Sequence, residues 1–418
     1  MLKTKKHLFQ TMLTTAAATL LSASAQAGFY TDGATLKDDN GNAFVMRGVN
    51  HPHAWYTNQT SQAIADIAAT GANSVRVVLS SGHRWSRTSA SEVQSIINLC
   101  KANNLVAVLE VHDTTGYGEE SGAQTLAGAT DYWLDIASVL QGEENYVIIN
   151  IGNEPFGNGA PASDWVNAHS SAITRLRNAG LDHTLMVDAP NWGQDWQNLM
   201  RSNAPTVVAA DPNQNVVFSV HMYEVYDTAS KVQNYISGFV ADGLPLVVGE
   251  FAADHYGSEV AEGAILQAGE TYGVGYLGWS WSGNSSNLAS LDIVQNFNAA
   301  NLTSWGQTLL NSANGIANTS NIATVYTGGG GNNGGGSSSC GTHNGYPVCC
   351  DASSDPDGDG WGWENSQSCV VTSQTGGGSS AGTCDWYGSM YPVCQNTQSG
   401  WGWENNQSCI SQSTCNSQ

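Results

Sequence analysis

The chain has 418 residues, with 41% hydrophobic and 11% charged residues and a formal net charge of −22. That length supports one large apolar core with room for smaller attached modules. So acidic a balance excludes nucleic-acid and anionic-membrane partners, which need a basic footprint; 14 Trp and 15 Tyr suit a neutral ligand whose faces stack on aromatic rings.

The N-terminus reads Met1-Leu2-Lys3-Thr4-Lys5-Lys6, passes through an Ala/Leu/Thr-rich stretch and reaches Ala25-Gln26-Ala27 before Gly28. A basic start, a short apolar segment and an Ala-x-Ala site predict a secretory signal peptide over 1–27 and an extracellular mature protein. That apolar segment is too short to span a bilayer, and no later segment is a transmembrane candidate. Removing 1–27 takes three of 13 basic residues and no acid, leaving 10 against 35, a balance of −25.

Asp38-Asp39-Asn40-Gly41 predicts a hairpin turn in a small ribbon. Eight apolar, β-branched runs follow as candidate strands: 44–50, 72–79, 105–112, 146–153, 183–189, 216–223, 244–250 and 274–281. Segments with apolar residues at helical spacing lie between them, among them 61–70, 90–102, 131–140 and 164–179. Eight strand–helix repeats in a domain spanning 28–325 predict an α/β fold, a (β/α)8 TIM barrel whose bottom the ribbon closes. Cys100, in a helical stretch, reads as buried packing.

Beyond the barrel, composition changes. Residues 326–339 and 372–383 are Gly/Ser linkers, and they set off two related segments, 340–371 and 384–418. Tyr346-Pro-Val-Cys349 repeats as Tyr391-Pro-Val-Cys394, and Trp361-Gly-Trp-Glu-Asn365 as Trp401-Gly-Trp-Glu-Asn405. Eight of the nine cysteines fall in the last 79 residues, which predicts two small β modules stapled by disulfides of open connectivity. Trp-Gly-Trp puts two indoles on one side of a strand. Asp355-Pro-Asp357-Gly-Asp359-Gly360 matches the start of a calcium loop, but Ser366 stands where the bidentate Glu belongs, so a solvated turn is expected.

In such a barrel the chemistry sits where the strands end. The polar residues there are Arg76, His112, Asn153, Glu154, His221, Tyr223 and Glu250, with Trp279 and Trp281. A carboxylate closing an apolar run is costly to bury without a reason. Glu154 and Glu250 both do so, and a pair of carboxyl groups suits an acid and a nucleophile facing a sugar. Glu110, two residues before His112, is expected to support it by a hydrogen bond. His51-Pro-His53 has ligand-like spacing without a third ligand; substrate contact or packing is expected, and no metal or cofactor.

With these residues the first domain resembles glycoside hydrolase family 5. The resemblance implies that Glu154 is the acid/base and Glu250 the nucleophile, with configuration retained. It implies that Asn153 holds the sugar 2-hydroxyl, Arg76 and Tyr223 hold the nucleophile, His112 and His221 line the reacting subsite and Trp281 is its stacking platform. Arg47-Gly-Val-Asn50-His51-Pro-His53-Ala-Trp55-Tyr56, Leu109-Glu-Val-His112-Asp-Thr-Thr-Gly116 and Gly278-Trp-Ser-Trp281-Ser-Gly-Asn284 are similar to the bacterial endo-β-1,4-mannanases of its subfamily 8. That similarity implies β-mannan as substrate, with Trp55, Trp192 and Trp279 at flanking subsites; a monomer is expected, a point the residues leave open. The residues alone leave mannan and glucan open, since the two differ by one axial hydroxyl.

The C-terminal repeats resemble carbohydrate-binding module family 10, which implies crystalline cellulose as their ligand. Tyr387, Trp401 and Trp403 would form the flat strip of the second module. The first keeps Trp361 and Trp363 but has His343 where Tyr387 stands and Thr342 where Trp386 stands, so weaker or different binding is expected of it.

Overall fold

The computed structural model describes residues 28–327, together with 342–343, 346–347, 361–364, 367–370, 383–386, 389–392, 401–404, 407–411 and 414. The chain divides into two compact units, 1–331 and 332–418.

In the first unit a ribbon of β1 (Tyr30–Asp32) and β2 (Thr35–Lys37) precedes eight strands: β3 (Arg47–His51), β4 (Ser74–Leu79), β5 (Val106–Val111), β6 (Val147–Asn150), β7 (Leu185–Asp188), β8 (Val216–Met222), β9 (Leu246–Phe251) and, after the small hairpin β10 (Asp254–His255) and β11 (Ser258–Glu259), β12 (Gly275–Gly278). The eight close into a parallel barrel in the order β12-β3-β4-β5-β6-β7-β8-β9. Every strand the sequence predicts is present, most of them shorter at their ends. Helices α1 (Thr60–Ala69), α2 (Ala90–Ala102), α3 (Leu126–Asp135), α4 (Ala162–Asn178), α5 (Leu199–Ala209), α6 (Ala229–Ala241) and α7 (Glu262–Tyr272) fill the crossovers, and α8 (Ser304–Asn311) follows β12. The helix predicted over 131–140 begins earlier, at Leu126, where the Thr125 hydroxyl accepts from Gly128 N, and its second half is a separate 3₁₀ turn over Ala137–Val139.

Strand alternation explains the interior. One inward set, Val106, Val108, Ile148, Met186, Val217, Val247 and Leu277, packs with Phe29, Leu36, Phe44 and Met46 into a dry plug. Each fully buried aliphatic side chain of that size stabilises by roughly 1.5–3 kcal/mol. The Asp38–Asn42 turn sits beside it, with Asp38 Oδ1 accepting from Asn40 N and Asn42 N and the bridge Lys37–Ala43 closing the loop. The domain also runs further than the sequence suggests. Tyr326, assigned to the linker, donates to Leu105 O at 2.8 Å and packs on Tyr146 with centroids 5.5 Å apart, so it belongs to the barrel.

Among the described residues of the second unit the backbone forms four antiparallel hairpins. Trp361–Glu364 pairs with Gln367–Val370, and Trp401–Glu404 with Gln407–Ile410, in the same register, Trp361 opposite Val370 and Trp401 opposite Ile410. Thr342–His343 pairs with Tyr346–Pro347, and Thr383–Trp386 with Ser389–Pro392. The expected signal segment, residues 328–339 and 372–382 of the linkers, Tyr387, the Asp355–Asp359 loop and the side chains of Trp361, Trp363, Trp401 and Trp403 lie outside the described residues.

Candidate active site

Two residues above the apolar plug, the same inward faces turn polar: Val108 leads to Glu110, Ile148 to Asn150, Met186 to Asp188. Arg76, on β4, lies at their centre and is fully buried. Its guanidinium donates to Glu250 Oε1 at 2.7 Å, Asn50 Oδ1 at 2.9 Å, Asn150 Oδ1 at 2.8 Å and Asn153 Oδ1 at 2.7 Å. Asp188 and Glu110 stand 3.4 and 3.9 Å from it. Burial opposes the charge on Arg76, but Glu110, Glu250 and Asp188 outweigh it and push its pKa above the ordinary arginine value. An unpaired charge here would be severely destabilising; five acceptors in a closed cage make it tolerable.

Glu250 is on β9, opposite His221 on β8, where a register shift between Val220 and His221 brings the two level. Its Oε2 accepts from the Tyr223 hydroxyl at 2.9 Å, so both its oxygens are held, one by Arg76 and one by Tyr223. Glu154 follows the end of β6 in left-handed backbone, φ 39°. Such a conformation persists in a non-glycine residue only where the surroundings over-determine it. Here Glu154 N donates to Asp188 Oδ2 at 3.2 Å, its carbonyl accepts from Gly116 N at 2.9 Å and Asn153 N donates to Val111 O at 2.9 Å. The Glu154 carboxyl shares a 2.7 Å hydrogen bond with His221 Nδ1. One oxygen of each glutamate and a ring nitrogen of His221 all lie within 4.8 Å of one another.

The electrostatics separate the two carboxyl groups. Burial, reinforced by the charge of Glu250, raises the pKa of Glu154 above the usual carboxylate value, while His221 pulls against it. Burial disfavours the imidazolium of His221, yet Glu250 and Asp188 push it up to about 10. Asp188, whose Oδ2 lies 3.3 Å from His221 Nε2, is held well below the usual carboxylate range: burial works against its charge, and His221 and Arg76 prevail. His112 is raised by Glu110, which bonds its Nδ1 at 2.9 Å, in spite of burial. The expected support from Glu110 is therefore present. One carboxyl group favours its proton and the other presents two fixed oxygens beside it, which is an acid and a nucleophile in one site.

The cleft above them encloses about 970 Å³ and is lined by His112, Asn153, Glu154, Trp192, Tyr223, Glu250 and Trp279, among others. Trp279 lies parallel to His112, 5.6 Å between centroids, with its Nε1 donating to Asn284 Oδ1 at 3.0 Å. Trp192 donates from Nε1 to Glu119 Oε2 at 2.8 Å. Trp55 stands outside this lining, edge-on to His112 at 5.1 Å and 37% exposed.

Trp281 requires a correction. It is fully buried in the main core and does not line the cleft, whereas Trp279 does. The sequence reading carried strand alternation through residue 281, whereas β12 ends at Gly278 and the two indoles part beyond it. His51 and His53 are packing residues: both rings bond the Thr60 hydroxyl, at 2.9 and 2.7 Å, and both are buried.

Several residues of the site were missed. Asp188 closes an apolar run just as Glu154 and Glu250 do, and the same criterion applied to 183–189 finds it. Trp196, Asn158, Asn191, Gln194, Glu224 and His255 also line the cleft, from loops whose course no local pattern predicts. Gly193 shows how tightly one of them approaches. At φ 72°, its carbonyl accepts from His221 N at 2.7 Å, and a Cβ there would stand 2.7 Å from the imidazole.

Residues 37–285 match the family profile described as cellulase, glycosyl hydrolase family 5, and residues 339–371 and 383–411 match that of a cellulose or protein binding domain. The chain is 60% identical over 378 residues to a protein of Cellvibrio japonicus named mannan endo-1,4-beta-mannosidase, covering 90% of this chain and 86% of that one. A Streptomyces lividans protein of the same name is 57% identical over 350 residues, 83% of this chain and 89% of that one. Among solved structures, the β-mannanase of Thermomonospora fusca in complex with mannotriose superposes with a TM-score of 0.70 at 53% identity, over 72% of this chain and 99% of that one.

Proposed function

The chain belongs to glycosyl hydrolase family 5, and on that premise we propose that it is a secreted, endo-acting, retaining β-1,4-mannanase, carried to plant cell walls by cellulose-binding modules at its C-terminus. One observation carries the reading: two buried carboxyl groups, one favouring its proton and the other fixed by Arg76 and Tyr223, face each other within 4.8 Å in an aromatic-lined cleft. Carboxyl oxygens within that bound support retention, for which the groups stand roughly 5–5.5 Å apart, since an inverting pair leaves room for a water at about 6.5–9.5 Å. Mannan as substrate is supported by the names of the similar proteins.

The chemistry follows from the geometry. Glu154 gives its proton to the glycosidic oxygen as the bond from that oxygen to C1 breaks, and Glu250 bonds to C1. The charge of Glu250 then disappears, removing one cause of the raised Glu154 pKa. Glu154, now a carboxylate, takes a proton from water, whose oxygen attacks C1 and releases Glu250. Two inversions restore the configuration. Asn153 is pinned for the 2-hydroxyl by Arg76 and by the Thr115 hydroxyl, to which its Nδ2 donates at 2.9 Å. Trp279 offers a broad face to the reacting sugar and His112 flanks it.

Release of reducing ends from unbranched mannan, glucomannan and carboxymethyl-cellulose decides the substrate. Cleavage of the first two, lost by at least ~10³-fold in Glu250→Gln, is expected. Preferred cleavage of the cellulose derivative would replace mannan by glucan, and an unaffected Glu250→Gln would remove the proposed nucleophile.

A further inference from the structure

Beside the cleft a second cavity of about 600 Å³ is formed between the 195–201 segment and α6. Trp196 and Val225 line both, so the smaller space adjoins the larger across these two side chains. We propose that it is a side chamber that receives a single neutral hexosyl branch, such as a galactosyl unit, from a mannan backbone lying in the cleft. The inference rests on the mannanase reading above.

Three features define the ligand. Trp196 is 50% exposed, and its Nε1 is tied to Asn158 Oδ1 at 2.7 Å, so the indole plane is fixed while a face stays open to stack on a pyranose. The polar groups of the lining are suited to hydroxyls: Asn198 and Asn234 are exposed amide residues of this cavity. The two cations of the chamber are already neutralised. Arg201 donates to Asp242 Oδ2 and Lys231 to Asp227 Oδ1, each at 2.8 Å, and the buried Asp195 carboxylate is occupied by Tyr235 and by Met200 N. A phosphate or uronate would find no free counter-charge here; a neutral sugar needs none. A volume of this order accommodates small ligands. A backbone lying in the cleft would present to this space, past Trp196 and Val225, whatever substituent its sugars carry.

The test is the ratio of kcat/KM on galactomannan to that on unbranched mannan, measured for the full chain. Asn234→Trp and Lys231→Trp each place an indole in the chamber from an exposed position of α6, outside the cleft lining. Both should lower the ratio about tenfold while kcat/KM on unbranched mannan stays within about twofold. An unchanged ratio in both variants, an equal fall on both substrates, or a wild-type protein that cannot cut galactomannan would overturn the proposal. Loss of all cleavage of unbranched mannan by the wild type is a different failure, that of the mannanase reading.

Discussion

Glu154 and Glu250 are only 9% and 4% exposed, and the negative charge of one is part of what keeps the proton on the other. Removing the Glu250 charge should lower the Glu154 pKa. Glu250 also raises His221, but Asp188 raises it as well, so an imidazolium held by Asp188 acts on Glu154 in the same direction. Titration of the labelled glutamate carboxyls by carbon NMR should therefore show Glu154 ionising at lower pH in Glu250→Gln than in the wild type. An equal value would show that the two groups do not communicate, and a higher one that the lost His221 charge outweighs the lost Glu250 charge. On the proposed mechanism Glu154 works protonated, so activity should fall as pH rises through its raised pKa. A pH–rate profile whose alkaline limb stays unmoved in Glu154 variants that retain activity would count against that role.

At the scale of elements, the loop from Pro190 to Asn198 is the piece that turns a barrel rim into a cleft wall. Asn191, Trp192, Gly193, Asp195 and Asn198 are all left-handed, a coil tight enough to bring Trp192, Gln194 and Trp196 to one side. Asp195 anchors it. Its carboxylate accepts from Tyr235 Oη at 2.7 Å on α6 and from Met200 N at 2.9 Å at the start of α5. Asp195→Ala leaves those buried donors without partners, at about 1–3 kcal/mol each. Steady-state kinetics should show KM rising more than kcat falls, because the loop binds and the glutamates react; the opposite split would place the loop's role in the chemical step. Burial raises Asp195 to about 6 despite these bonds. A raised acid contributes stability that is full below its unfolded pKa, about 4, and is lost as pH rises through the folded value. The Tm advantage of the wild type over Asp195→Ala should accordingly shrink between about pH 4 and 6.

Taken whole, the molecule joins a barrel that carries its complete set of candidate catalytic groups within residues 28–327 to a separate unit of short hairpins. A chain ending at residue 331 should retain kcat/KM on soluble mannan and lose adsorption to crystalline cellulose, measured by depletion from the supernatant. A matching loss on soluble substrate would mean that the second unit contributes to the site itself. If the second unit anchors the chain on a composite wall as proposed, the tether would raise the effective concentration of mannan near the barrel, and the truncated chain should fall behind only on solid substrate.

Periodicity alone determined the barrel. Eight apolar runs separated by helical spacing admit few other closed arrangements, and a glutamate at the end of such a run is so costly to bury that its purpose is visible in one dimension. The Trp-Gly-Trp repeat likewise gave two equivalent hairpins, paired in one register. Tertiary structure decided what lies past the strand ends. Trp281 and Trp279 are two residues apart in sequence, yet one fills the core and the other the cleft, because alternation stops with the ladder at Gly278. Asp188, His221 and Arg76 come from three strands separated along the chain, and their pKa values depend on distances that only barrel closure sets. The loop bearing Trp196 has no repeating pattern to read; its course follows from contacts of Asp195 with Met200 at the start of the next helix and with Tyr235 on α6, 40 residues on. Local hydrogen-bonding periods are written in neighbouring residues, whereas the field within a site is a sum over residues that become neighbours only on folding.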